Sequence, residues 1–143
     1  MDHPPIALTF DLREIGRVES RLTDPSSAPK QGDEGAPDAW IEFESGVLDA
    51  LQSVRVGDGL LILTWLDRAD RGVLVVHPRG DASRAPEGVF TTRSPHRPNP
   101  IGLHRVQVAE VAGKRMKVRN LEALDGTPVV DVKPVLSADA SER

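Results

Sequence analysis

Three prolines within six residues, Pro95, Pro98 and Pro100, constrain this chain more tightly than any other feature. Each ring fixes its own φ and turns the preceding residue away from helical geometry. Ser94, Arg97 and Asn99 are thereby pushed towards extended backbone, and neither helix nor regular strand runs through the segment. A loop this stiff loses little entropy when it binds a ligand. It carries Arg93, Ser94, His96, Arg97 and Asn99, a dense set of donors for an anionic or hydrogen-bonding group. Val89 and Phe90 before it and Ile101 and Leu103 after it suggest strands that anchor a rigid polar loop. On composition alone, a proline-stiffened surface turn accounts for the segment equally well.

Around the loop the pattern is that of short strands. Ile6–Phe10 and Ile15–Leu22 are weakly β-like. Trp40–Glu44 alternates apolar and acidic residues, as a half-buried strand does. Leu60–Leu66 is an unbroken apolar run between turn residues, read as a central strand, and Gly72–Val76 reads as another. Leu103–Val111 and Arg115–Arg119 flank Gly113 as a hairpin, and Val129–Val132 forms the last strand. Gly46–Val54, with apolar residues at 47, 48, 51 and 54, suits a short amphipathic helix. The stretch from Thr23 to Pro37 is loop by composition. The whole is mainly β, a sandwich or a barrel.

At 143 residues the chain predicts a single domain with its core at about 13–136. It contains no cysteine, which excludes disulfides and thiolate metal sites. No apolar run reaches the roughly 18 residues of a membrane span, and Met1–Ile6 lacks the features of a secretion signal, so a cytoplasmic location is expected. His77, His96 and His104 match no compact ligand spacing, so no metal is expected. The net charge of −4 is unevenly spread. Residues 79–119 hold nine Lys/Arg against three Asp/Glu, a local +6 inside an acidic remainder. A polyanion could dock on that third of the chain; alternatively Lys114, Arg115, Lys117 and Arg119 simply line solvated strand faces.

The segment Thr91-Thr-Arg-Ser-Pro-His-Arg-Pro-Asn-Pro-Ile-Gly102, preceded by Gly-Val-Phe, resembles the signature of the TrmO family, also called YaeB-like or TsaA-like. Asp125-Gly-Thr-Pro-Val-Val-Asp-Val-Lys-Pro134 resembles that family's C-terminal signature, and His77–Asp81 its lead-in. The resemblance implies a β-barrel methyltransferase that uses S-adenosylmethionine to methylate N6 of threonylcarbamoyladenosine at position 37 of tRNA. It also implies a homodimer. Carried over residue by residue, it assigns the cofactor to Pro29, Lys30, Gln31, Asp67, Arg68, Arg93, Leu103 and Leu124–Thr127 (Leu124, Asp125, Gly126, Thr127). Lys30 stands where the family has Arg, and Asp67 where it usually has His, which removes a neutral donor and supplies a carboxylate. The candidate interface for a dimer is Leu60–Leu66 or Val73–Val76 together with the 88–106 loop.

Methyl transfer from an activated sulfonium asks the protein mainly for alignment and exclusion of water. Arg93 and Arg97 could hold a cofactor carboxylate or an RNA phosphate, or bridge to nearby acids. His96, Arg97, Asn99 and Arg105 are the candidate RNA contacts; Asn99 could equally cap its own loop. The target nitrogen is a poor nucleophile while protonated, and His77, Asp125 and Asp131 are unranked candidates to take its proton. Both Trp and the three Phe read as core, so stacking of a base would fall to Arg or His. Two other functions stay open: methylation of a small metabolite by the same fold, or non-enzymatic RNA or nucleotide binding.

Overall fold

The computed structural model describes Ile6 and residues 8–23 and 36–136. Pro29, Lys30 and Gln31 lie outside the described residues. Eight strands follow one another: β1 Gly16–Glu19, β2 Ala39–Phe43, β3 Gly59–Trp65, β4 Val75–Val76, β5 Glu87–Gly88, β6 Ile101–Ala112, β7 Arg115–Arg119 and β8 Pro128–Pro134. Six of them form a ring in the order β1-β2-β7-β6-β3-β8, closed where β8 returns to β1 through Gly16↔Val129 and Arg17↔Pro128. Strands β4 and β5 form a separate two-stranded ribbon.

The mainly-β expectation holds, and the period-2 pattern explains why. In β3, Leu60, Ile62 and Thr64 point inward while Leu61, Leu63 and Trp65 stay half-buried on the outside. In β6, Gly102, His104, Val106 and Val108 are buried, and Ile101, Leu103, Arg105 and Gln107 face out. The interior is filled by Val18, Ile41, Ile62, Val108, Met116, Val118, Leu121 and Val129, each at most 1% exposed. A ring this small holds side chains in place of a channel. Turns fall where glycine can take a positive φ, at Gly113 between β6 and β7 (62°) and Gly126 before β8 (81°).

Several local expectations are corrected. Residues 8–10 form no strand, and Leu8 and Phe10 are exposed; once β1 and β8 close the ring, no edge is left for an earlier segment to join. The same closure keeps Gly72–Val76 out of the barrel: only Val75 and Val76 pair, with β5, and Leu74 and Val75 are exposed. Ser45–Leu51 is a 3-10 helix instead of an α-helix. Its apolar residues Val47, Leu48 and Leu51 pack on the core, as does Val54 just past its end. Leu60–Leu66 is barrel wall, so as a dimer interface it offers only the half-buried outer faces of β3. No helix among the described residues is long and apolar enough to cross a membrane.

Candidate active site

Ahead of β6, the proline-rich loop enters through a 3-10 turn at Val89–Thr91, where a strand was expected, and leaves directly into β6. Small hydroxyl residues wire it internally: the Ser94 amide donates to Thr92 Oγ1 (3.2 Å) and the His96 amide to Ser94 Oγ (3.2 Å). Arg97 turns inward, its Nη1 donating to the carbonyls of Thr92 (3.0 Å) and Ser94 (3.1 Å). Thus Arg97 bridges to backbone, where sequence reasoning weighed phosphate, a cofactor carboxylate or neighbouring acids.

The turn after β3 bolts the loop from outside. Arg71 donates from Nε to the Pro98 carbonyl (2.7 Å) and from Nη2 to Asn99 Oδ1 (3.0 Å), with its guanidinium 5.1 Å from the Trp65 ring centroid. The Asp70 amide donates to His96 Nδ1 (2.9 Å), so the neutral ring carries its proton on Nε2. Backbone closes the junction, the Leu66 amide donating to the Pro100 carbonyl at 2.8 Å. Arg71 was missed in the sequence because nothing local marks it; its partners lie 27 and 28 positions away.

Loop, turn and the outer face of β6 enclose a groove of about 1290 Å³ that continues to the segment joining β7 to β8. Roughly 300–1,000 Å³ suits one drug-sized ligand; this groove has room for a cofactor and a nucleoside. Asp67, Arg68, Arg93, Leu103, Leu124 and Thr127 all line it, although they come from four separate stretches. His96, Arg97, Asn99 and Arg105 line it as well. Arg68, Arg93 and Arg105 are exposed, and among the described residues none makes a side-chain hydrogen bond or ion pair. Asp67 is likewise exposed and unpaired among the described residues, so three arginines and one carboxylate face the groove without partners.

Other expected residues fall elsewhere. Asp125 and Gly126 border a second, smaller recess on the β1 side, and Asp125 Oδ1 accepts from the Ser20 amide at 3.0 Å. His77 sits by the ribbon, its Nδ1 2.8 Å from the Arg84 carbonyl. Asp131 pairs with Lys133 at 3.4 Å and accepts from the Val132 amide. None of the three lines the groove. Lys114 and Arg115 pair with Glu42 and Glu19 on another face of the barrel, Arg115 also stacking on Trp40 at 4.4 Å. The aromatic reading is corrected too. Phe90 is 80% exposed and lines the groove, while Trp40 and Trp65 are half-buried on the outer wall. Val89, the neighbour of Phe90, takes the buried position in the 3-10 turn. Among the described residues no group of three His, Cys, Asp or Glu is placed to hold a metal.

A second polar cluster lies at the floor of the groove, and sequence reasoning missed it. His104 and Thr64 point into the barrel from adjacent strands, with Thr64 Oγ1 2.7 Å from His104 Nε2. On the other side, His104 Nδ1 is 2.5 Å from Glu122 Oε1. The imidazole lies over Gly102: a Cβ there would stand 2.7 Å from His104 Nε2 and collide with the Thr64 hydroxyl. A histidine in an alternating strand gives no sign of facing inward until a glycine two residues away makes room.

A small closed β-barrel thus carries a proline-stiffened groove along one strand. The chain belongs to the tRNA-methyltransferase O N-terminal domain family, whose model matches residues 17–140. A relative from Archaeoglobus fulgidus, named "S-adenosyl-L-methionine-binding protein", is 43% identical over 122 residues, covering 85% of this chain and 86% of its own. A second protein from that organism, named "Probable S-adenosyl-L-methionine-binding protein", is 45% identical over 130 residues, which are 91% of this chain and 35% of the relative. A crystal structure of TrmO from Pseudomonas aeruginosa matches with a TM-score of 0.73 and 26% identity, over 94% of this chain and 61% of that one. The chain thus spans about a third of one curated relative and three fifths of the solved protein.

Proposed function

We propose that the groove binds S-adenosylmethionine and that the protein methylates N6 of threonylcarbamoyladenosine at position 37 of tRNA. One observation carries the reading: six of the residues that the family resemblance assigns to the cofactor, Asp67, Arg68, Arg93, Leu103, Leu124 and Thr127, come from distant stretches and line a single groove. The donor set fits the cofactor. Arg93 and Arg68 suit its carboxylate, Leu103 and Leu124 its apolar parts, and the exposed carboxylate of Asp67 its positive charge. When bound, S-adenosylmethionine supplies an electrophilic methyl group and departs as a neutral thioether. The protein's own contribution is alignment: the bolted loop holds its donors in place before the ligand arrives, which lowers the entropy cost of binding. Asp67 brings a carboxylate to a position where the family usually has a neutral donor. The Ala69 amide donates to the Leu66 carbonyl at 3.0 Å across this turn, and main-chain contact to the cofactor does not depend on the Asp67 side chain.

The deciding experiment incubates the protein with labelled S-adenosylmethionine and tRNA from cells with and without the threonylcarbamoyl group. Label only in the modified tRNA is the expected outcome. Label in a small metabolite and neither tRNA would move the function to small-molecule methylation; RNA binding without transfer would leave a binding module.

Cofactor binding alone has its own expected result. At a ligand concentration 100 times its Kd, S-adenosylmethionine should stabilise the fold by about 2.7 kcal/mol. Calorimetry that shows no heat at millimolar cofactor or demethylated product would end this reading.

Phe90 offers the flat apolar surface that a base needs, and base–aromatic stacking contributes about 1–3 kcal/mol. Phe90→Ala should weaken tRNA binding roughly 5- to 150-fold with no change in melting temperature, since the side chain is solvent-exposed. Unchanged tRNA affinity in a filter-binding or anisotropy titration would remove Phe90 from the interface. For a dimer through Val73–Val76 and the 88–106 loop, Leu74, Val75, Phe90, Ile101 and Leu103 are the exposed large apolar residues. Light scattering at micromolar concentration tests it, a stable mass near 15.5 kDa arguing for a monomer.

A further inference from the structure

Within that proposed reaction the geometry points to Glu122 as the residue that accepts the substrate proton, with His104 and Thr64 as the residues that position it. This inference rests on the functional reading above. The nitrogen that gains a methyl carbon must lose a hydrogen, and the residues first considered for that task lie outside the groove. Of the groove's own charged groups, four are arginines, which cannot accept a proton at working pH. The remaining titratable acceptors are Asp67 and His96 at the solvent-exposed end, and the Glu122–His104 pair at the floor.

The floor pair is built for the role. Asn120, in the left-handed region at φ 68°, ends β7 and turns the chain. Leu121 and Ala123 then bury in the core, so Glu122 between them faces the groove with 15% of its side chain exposed. Its Oε1 meets His104 Nδ1 at 2.5 Å. No side-chain hydrogen bond among the described residues engages its Oε2, which is the oxygen left to receive a proton. His104 cannot take it directly, because both ring nitrogens are occupied and the residue is 5% exposed. Thr64, fully buried, holds Nε2 and so fixes the ring plane that orients the carboxylate. In the step itself, the nitrogen forms its bond to the methyl carbon as the carbon–sulfur bond breaks, the electron pair staying on sulfur. The nitrogen's proton passes to Glu122 Oε2, and a neutral cofactor product and a protonated carboxyl result.

The test compares wild type with Glu122→Gln, which keeps an acceptor oxygen for His104 but cannot take the proton. Single-turnover methyl transfer should fall about 10²- to 10⁴-fold, while calorimetric cofactor binding and the melting temperature stay near wild type. Independently of activity, the ligand-free wild type should show a strongly downfield His104 Nδ1 proton by NMR, lost or moved upfield in Glu122→Gln. Transfer within about threefold of wild type overturns the inference and leaves the functional reading standing. A wild type that binds cofactor but methylates neither tRNA retires both. If Glu122→Gln fails to fold, the wild-type NMR signal decides: its absence means that the carboxylate and imidazole are not engaged, and the inference falls.

Discussion

Gly102→Ala should destabilise the protein by about 2–3 kcal/mol, lowering its melting temperature by roughly 5–10 °C. The methyl group would stand 2.7 Å from His104 Nε2 and 3.3 Å from its Cε1, and would collide with the hydroxyl of Thr64. Neither neighbour is a free side-chain end: Thr64 is fully buried, and His104 is tied on both sides. Room can come only from breaking the Thr64–His104 contact or from parting β3 and β6 at Thr64↔Gly102. Gly113→Ala is the matched comparison, because it meets nothing within 4 Å and suffers only from its φ of 62°. That strain amounts to about 1 kcal/mol. Thermal or urea melts rank the two; an equal or smaller loss at Gly102 would mean that the imidazole does not rest over it.

Arg97→Ala should weaken cofactor and tRNA together, each by more than about tenfold, and should also lower the melting temperature. Its two hydrogen bonds to the carbonyls of Thr92 and Ser94 hold the shape of the loop, and bonds from a charged donor are worth about 1.5–3 kcal/mol each. Arg93→Ala should act differently, because Arg93 is exposed and makes no side-chain bond of its own among the described residues. It should weaken the cofactor alone. Salt titration separates the roles: a phosphate contact reduces the salt slope of tRNA binding by about one when it is lost. With Arg97→Ala the slope should stay at its wild-type value. A slope that drops by one puts Arg97 on phosphate and returns its loop bonds to a secondary place.

Most barrel strands were legible because they alternate, as a closed ring demands one buried and one outward face, and β3 because its unbroken apolar run lies between turn residues. The proline loop was legible because proline acts through local sterics alone. What could not be read was anything decided by closure or by distance. Residues 8–10 and 72–76 look as β-prone as β1, yet the ring has no place for them. Phe90 and Phe43 are the same residue type; only the 3-10 turn after β5 makes one exposed while the other is buried in β2. Asp125 and Thr127 stand two positions apart but open on different recesses, because Gly126 between them takes a left-handed turn. The Glu122–His104–Thr64 cluster joins residues 18 and 40 positions apart, and no local pattern announces such a meeting.

The ring is not equally strong all the way round. Strands β3 and β6 pair through seven residues, whereas β1 and β8 pair through two. The β1–β8 seam should therefore part at a lower free energy than the rest of the wall, and amide hydrogen exchange reads that difference strand by strand. The amides of Ile15 and Val18, which donate across the seam to Val129 and Thr127, should exchange well before those of β3. Thr127 also lines the groove, so a ligand that grips it ties the loosest joint of the barrel to the binding site. Occupancy of the groove should then appear as slowed deuterium uptake along β1, a strand that contributes only to the opposite recess.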